Sequence, residues 1–232
     1  MHKSISSSLY DSTYLHVANS RFKSGFLKNH SSALLYSAGR ISPKDKVLEI
    51  GSNTGEFIKL FIQKTHSLNI VGIDINKTAV RFAQKMGFKV LLGSAEKLPL
   101  KNNSIDLVFS QHVFEHLPHP SLAFKELERV LKPGGKAIII TPPNYFGFET
   151  ILVAHQSLPP QKRNPVEAYN QAKKLHPSTF GHPFGGAKSH VQKILAENKI
   201  RLTVSGKMRP SLWFSNLLII RKPDRQTWQL GQ

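Results

Sequence analysis

Between Lys46 and Pro143, five short apolar runs are separated by segments of helical period, and that alternation leaves few folds open. The runs are KVLEIG, NIVGIDI, FKVLLG, IDLVFS and KAIIITPP. They are continuous rather than alternating, as expected of strands covered on both faces. Between them, GEFIKLFIQKT carries apolar residues at helical spacing, and NKTAVRFAQKMG starts at Asn76 as a cap and stops at Gly87. SLAFKELERVLKPGG is expected to start at the cap Ser121 and stop at Pro-Gly-Gly. Strands alternating with helices of this length build βαβ units on a parallel sheet. After a further helix in SHVQKILAENK, IRLTVSG and FSNLLIIRK read as closing strands. The expected fold is α/β: a doubly wound, Rossmann-like, mostly parallel seven-stranded sheet. Helices cover both faces, and an antiparallel strand lies near the C-terminus.

The 232 residues suit one such domain. Residues 1–40 form a helical lead-in with spaced aromatics, 41–141 the core, 142–190 a proline- and histidine-rich insertion, and 191–225 the closing helix and strands. The chain has no cysteine, which excludes disulfides, thiolate metal sites and cysteine nucleophiles. No apolar run reaches the roughly 18–20 residues of a membrane-spanning helix. The opening residues lack the apolar core of a secretory signal, so a cytoplasmic protein is the expectation. The formal charge is +18, and after Ile151 there are 13 Lys and Arg against Glu167, Glu197 and Asp224. Such a field draws anions, and an anionic membrane surface or RNA are the partners it brings to mind.

VLEIGSNTGEF places a strand, a glycine turn and a helix in succession. Helix N-termini leave N–H groups unpaired, and Gly51 and Gly55 let backbone approach a ligand closely. A dinucleotide fingerprint would need glycines at 53 and 56, which are Asn53 and Glu56. A triphosphate loop would need Gly-Lys-Ser/Thr where Gly55 is followed by Glu56 and Phe57. Asp74 closes the second strand about twenty residues on, where an acid accepts ribose hydroxyls. The pair points to a ribose-bearing cofactor gripped without a pyrophosphate.

With Glu49, Gly51, Gly55 and Asp74 in place, the chain resembles the class I S-adenosylmethionine-dependent methyltransferases. Within them it is similar to the group acting on small molecules, including ubiquinone- and menaquinone-type enzymes. VLEIGSNTG, GIDIN, GSAEKLPLKNNSIDLVFS, HVFEHLPHP and ERVLKPGGKAIIITPPN follow the family's order and spacing. The resemblance implies S-adenosyl-L-methionine as cofactor and a small-molecule methyl acceptor. It also implies that Glu49 and the turn Gly51, Ser52, Asn53 and Gly55 hold the methionine portion. Asp74 would take the ribose and Ile75 would lie beside the adenine. Ser94, Ala95 and Glu96 would lie at the adenine edge, and Ser110, Gln111 and His112 would line the floor towards the acceptor. Asn53 replaces the commoner glycine, and asparagine tolerates left-handed angles better than most residues. Ser94 stands where an acid is often found.

HVFEH also fits the H-x-x-E-H pattern of one class of zinc peptidase. That reading needs a helix long enough to project His112, Glu115 and His116, and Pro118 and Pro120 cut it short, so no metal is expected. Methyl transfer from an activated sulfonium asks mainly for alignment, and a base only where the acceptor must lose a proton. His116, with His112 as second candidate, is the expected base. The aromatics of residues 1–40 and 142–190 (Tyr14, Phe22, Phe26, Tyr145, Phe146, Phe148) would lid an aromatic or lipophilic acceptor. Two rivals stay open: a nucleic-acid methyltransferase, favoured by charge, and a non-catalytic methyltransferase-like binding protein.

Overall fold

The computed structural model describes residues 25–141, 155, 158–175, 188–209 and 215–224. Tyr14, Phe22, Tyr145, Phe146 and Phe148 lie outside them, as does the side chain of Phe26.

Helix α1 (Phe26–Ala38) leads into β1 (Val47–Ile50), α2 (Glu56–Thr65), β2 (Ile70–Asp74), α3 (Lys77–Lys85), β3 (Val90–Leu92) and β4 (Ile105–Gln111). One 3-10 turn, Phe114–His116, precedes α4 (Pro120–Val130) and β5 (Leu131–Thr141). The later elements are α5 (Pro165–Leu175), α6 (Lys188–Glu197), β6 (Thr203–Arg209) and β7 (Ser215–Arg221). The strands form one seven-stranded sheet in the order β3-β2-β1-β4-β5-β7-β6. All are parallel except β7, which runs antiparallel to both β5 and β6. Strand order reverses between β1 and β4. Connections leave that point towards opposite faces, which opens a crevice beyond the carboxyl ends of the two strands.

The unbroken apolar strands divide their side chains between two cores, as the period of two requires. Leu48, Ile50, Val108, Ile139, Leu218 and Ile220 pack with Phe124, Leu127 and Val130 of α4 and Val191 and Leu195 of α6. Val47, Leu107, Phe109, Ile138, Ile140 and Leu217 pack on the other face with α1, α2 and α3. There Phe57 meets Phe109 edge to face, ring centroids 4.9 Å apart. Leu34 and Ala38 of α1 are buried in this second core, so this helix is built into the fold.

Asn76 caps α3 as expected, accepting from Thr78 N at 2.9 Å and Ala79 N at 3.1 Å, and Gly87 follows the helix at φ +84°. The start of α4 corrects the expectation at Ser121. The helix begins at Pro120, whose fixed φ suits the first turn, and the cap position is His119. His119 makes no side-chain cap; its N–H donates to Glu96 Oε1 at 2.6 Å. β5 likewise begins at Leu131, ahead of Pro-Gly-Gly, with a register shift where it meets β4 between Ile105 and Leu107. Lys222, just past β7, donates to Glu128 O at 2.5 Å and Leu131 O at 2.8 Å, satisfying carbonyls that the end of α4 leaves open.

Candidate functional site

Beyond Ile50 the chain turns into α2 through three left-handed positions: Gly51 at φ +79°, Asn53 at +45° and Gly55 at +87°. A Cβ at Gly51 would run into the Val113 side chain, and one at Gly55 would stand 2.6 Å from the Phe88 ring. Space as well as backbone angle therefore requires glycine at both. Asn53 takes the left-handed angle anticipated for it, at a cost smaller than most residues would incur.

Asp74, at the end of β2, holds this turn. Its Oδ2 accepts from Asn53 N at 2.7 Å and its Oδ1 from Asn76 N at 2.8 Å. The acid thus links the turn to α3, while Asn76 does the capping. Burial raises the Asp74 carboxyl above its ordinary range, and the N–H groups of Asn76, Asn53 and Ile75 pull it partly back. Glu49 on β1 is almost fully buried, and its carboxyl lies well above the ordinary range, first through burial and then through the charge of Asp74. Glu49 Oε2, Ser52 Oγ and Asn53 Oδ1 are buried and have no hydrogen-bond partner among the described residues. Three such atoms within five residues are costly to a folded chain unless a polar ligand answers them.

Ile75 stands 47% exposed at the edge of β2. Across from it, Ser94 Oγ accepts from Glu96 N at 3.1 Å, and Ala95 is buried. Glu96 gives one carboxylate oxygen to His119, as above. Arg129 of α4 braces the loop that follows, donating to Leu98 O at 2.9 Å and Leu100 O at 2.6 Å while pairing with Glu126 at 2.7 Å. Glu126 in turn accepts from Leu98 N at 2.6 Å, and the Arg129 hydrogen bond is the main cause that lowers its carboxyl.

Ser110 ties β4 to β1 at the reversal point, its Oγ donating to Ile50 O at 3.2 Å. Gln111 Nε2 donates to Ser31 Oγ of α1 at 3.0 Å. His112 follows with φ +55°. Its Nδ1 lies 3.4 Å from Glu115 Oε1, and His116 Nε2 lies 3.9 Å from the same oxygen. The candidate bases therefore share one buried carboxylate. Of the H-x-x-E-H residues only Glu115 and His116 lie on the 3-10 turn, His112 preceding it, and among the described residues no group of three or more His, Asp or Glu is arranged to hold a metal.

His30, Ser31 and Ser215 are members of this neighbourhood that the sequence does not announce. His30 and Ser31 are wholly buried, and His30 Nε2 lies 3.2 Å from Ser215 Oγ on β7. Their only trace in the sequence is the polar run HSS ahead of the apolar stretch ALL of α1.

Residues 48–139 match the family model described as a methyltransferase domain. An uncharacterized protein of Methanocaldococcus jannaschii is 40% identical over 97 residues, 42% of this chain and 44% of that one. A malonyl-[acyl-carrier protein] O-methyltransferase of Methylococcus capsulatus is 32% identical over 114 residues, 47% of this chain and 40% of that one. A ubiquinone/menaquinone biosynthesis C-methyltransferase of Cupriavidus taiwanensis is 32% identical over 107 residues, 43% of this chain and 44% of that one. The match spans less than half the length of each of these curated relatives. In fold, a S-adenosyl-L-methionine-dependent methyltransferase structure from Methanococcus maripaludis superposes with a TM-score of 0.62, covering 97% of both chains at 18% identity. Residues 48–139 thus carry the sequence of a methyltransferase domain, and the seven-stranded sheet has the fold of the methyltransferase structure it superposes on.

Proposed function

We propose that the protein moves a methyl group from S-adenosylmethionine to a small-molecule acceptor, with the cofactor at the Gly51–Gly55 turn and the acceptor beside His112 and His116. The observation that carries this reading is the set of buried, partnerless polar atoms on Glu49, Ser52 and Asn53, gathered where Asp74 holds a left-handed glycine turn. These residues fit the cofactor. Glu49 would receive its cationic amino group, Ser52 and Asn53 its other polar atoms, and Asp74, which has lone pairs beyond the two in use, its ribose. Ile75 would cover one face of the adenine, with Ser94, Ala95 and Glu96 along its edge.

Bound there, the cofactor supplies a methyl group already activated by its sulfonium. The remaining work falls to the chain. Ser110, bonded to Ile50 O, keeps the ends of β1 and β4 in register, so that cofactor turn and acceptor floor stay aligned. Gln111 and His112 form that floor. His116, paired through Glu115 to His112, takes a proton where the acceptor has one to lose. Relatives named for O-methylation and for C-methylation support an acceptor that reacts at oxygen or carbon after such a loss. An aromatic or lipophilic acceptor and a single domain over residues 1–232 belong to the same reading. So does a cytoplasmic place of action; among the described residues no helix is long and apolar enough to cross a membrane. The +18 charge supports an anionic contact, membrane surface or RNA, outside the site.

Calorimetric titration with S-adenosylhomocysteine tests the reading. Micromolar binding is expected, weakened at least tenfold in Asp74→Ala. A folded wild-type protein that binds none would overturn it.

A further inference from the structure

Two consecutive residues of α1 grip two consecutive residues at the end of β4. Ser31 holds the amide of Gln111, and His30 meets His112 edge-on, ring centroids 5.0 Å apart and planes at 68°. On its other side His30 is fixed by Ser215 Oγ of β7, at 3.2 Å. His112 therefore stands between a wholly buried imidazole and the Glu115 carboxylate, with its backbone at φ +55°. That angle is uncommon for a residue with a β-carbon, and histidine takes it more readily than most. The titratable groups of this cluster among the described residues are His30 from α1 and His112, Glu115 and His116 from the turn after β4. Ser31 and Ser215 add hydroxyls.

We propose that His30 is a positioning residue of the transfer site: anchored by Ser215, it locks the ring of His112 so that Nδ1 carries its hydrogen towards Glu115. Building on the methyltransferase reading, this gives α1 and β7 a part in the chemistry that neither sequence motif nor relative assigns. A neutral imidazole has two tautomers, and the bond made by one nitrogen decides what the other can do. A carboxylate as buried as Glu115 is costly as a free charge and is stabilised by a donor turned towards it, here 3.4 Å away. With His112 fixed, Glu115 is directed at His116, the member that meets an acceptor. In turnover the acceptor's O–H or C–H bond breaks and the proton passes to His116. The freed electron pair bonds to the methyl carbon, and the C–S pair returns to sulfur, which leaves neutral.

The test is spectroscopic and needs no acceptor. In protein with 15N-labelled histidine, long-range proton–nitrogen spectra report which ring nitrogen of His112 is protonated. The wild type should show one tautomer, hydrogen on Nδ1. His30→Phe keeps an aromatic edge against His112 but loses the bond to Ser215, and Ser215→Ala removes the same bond from the other side. Each should give averaged His112 nitrogen shifts, the mark of mixed tautomers, while S-adenosylhomocysteine affinity stays within about twofold. Should His30→Phe not fold, Ser215→Ala decides alone. His112 unchanged in both variants would overturn the proposal. So would a folded variant that loses S-adenosylhomocysteine binding, because His30 would then act on the cofactor turn. A wild type that binds no S-adenosylhomocysteine sinks the proposed function instead, and the tautomer experiment on the free protein still decides the role of His30.

Discussion

Glu49 is held in the folded chain at a cost to stability. Its carboxyl is raised by burial and by Asp74, so the native state holds that proton more tightly than the unfolded chain does. Stability should therefore fall as pH rises from the unfolded carboxyl range up to the raised native value. Glu49→Gln removes the buried charge. In the absence of ligand at neutral pH it should gain on the order of 1 kcal/mol, or roughly 2–4 °C in Tm. The same substitution should weaken S-adenosylhomocysteine binding at least tenfold; scanning calorimetry with and without ligand reads both. A Tm that drops would show that the charge is answered within the protein. Asn53 offers a second comparison at this scale. Asn53→Ala should cost about 1 kcal/mol at φ +45°, whereas Asn53→Gly should be neutral or stabilising, as thermal melts would show.

At the scale of elements, α4 and the loop it braces carry a different prediction. Arg129 donates to two loop carbonyls and to Glu126, so Arg129→Ala leaves those acceptors unmet, and a loss of about 1.5–3 kcal/mol is expected in urea melts. Glu126 is depressed in the native state, so its contribution is present above the unfolded carboxyl range and lost as pH falls through its lowered value. That acid-side loss should shrink in Arg129→Ala. This scale also shows what could be read from sequence. The five strands of the cofactor half stood out because each is an unbroken apolar run, and Asn76 and Gly87 bounded α3 by local chemistry. Ser121 misled because a proline one residue earlier supplies the helix start without any side-chain bond. Asp74 and the glycine turn were legible because strand, turn and acid lie within one βαβ unit. His30 and Ser31 were not, since their roles come from partners 185 and 80 residues away along the chain.

For the molecule as a whole, the two cores meet at one sheet, and the candidate site lies over the point where its strand order reverses. A ligand seated there touches the ends of β1, β2 and β4 and should stabilise the fold as one cooperative body. At a hundredfold excess over Kd, S-adenosylhomocysteine should add about 2.7 kcal/mol. That corresponds to roughly 5–11 °C in Tm, as a single shifted transition. Two separate transitions, with one unmoved, would mean that the closing strands form a body independent of the cofactor half.

β7 lies between β5 and β6, although it follows both in the chain. During synthesis, the glycine turn, Asp74 and β4 emerge well before Ser215. At roughly 5–20 residues per second, the nascent chain would spend on the order of 5–20 s with its cofactor turn made and His30 lacking its anchor. If the fold forms as one cooperative body, ligand capture has to wait for that last insertion, and the site is completed only once β7 has entered the sheet beside β5.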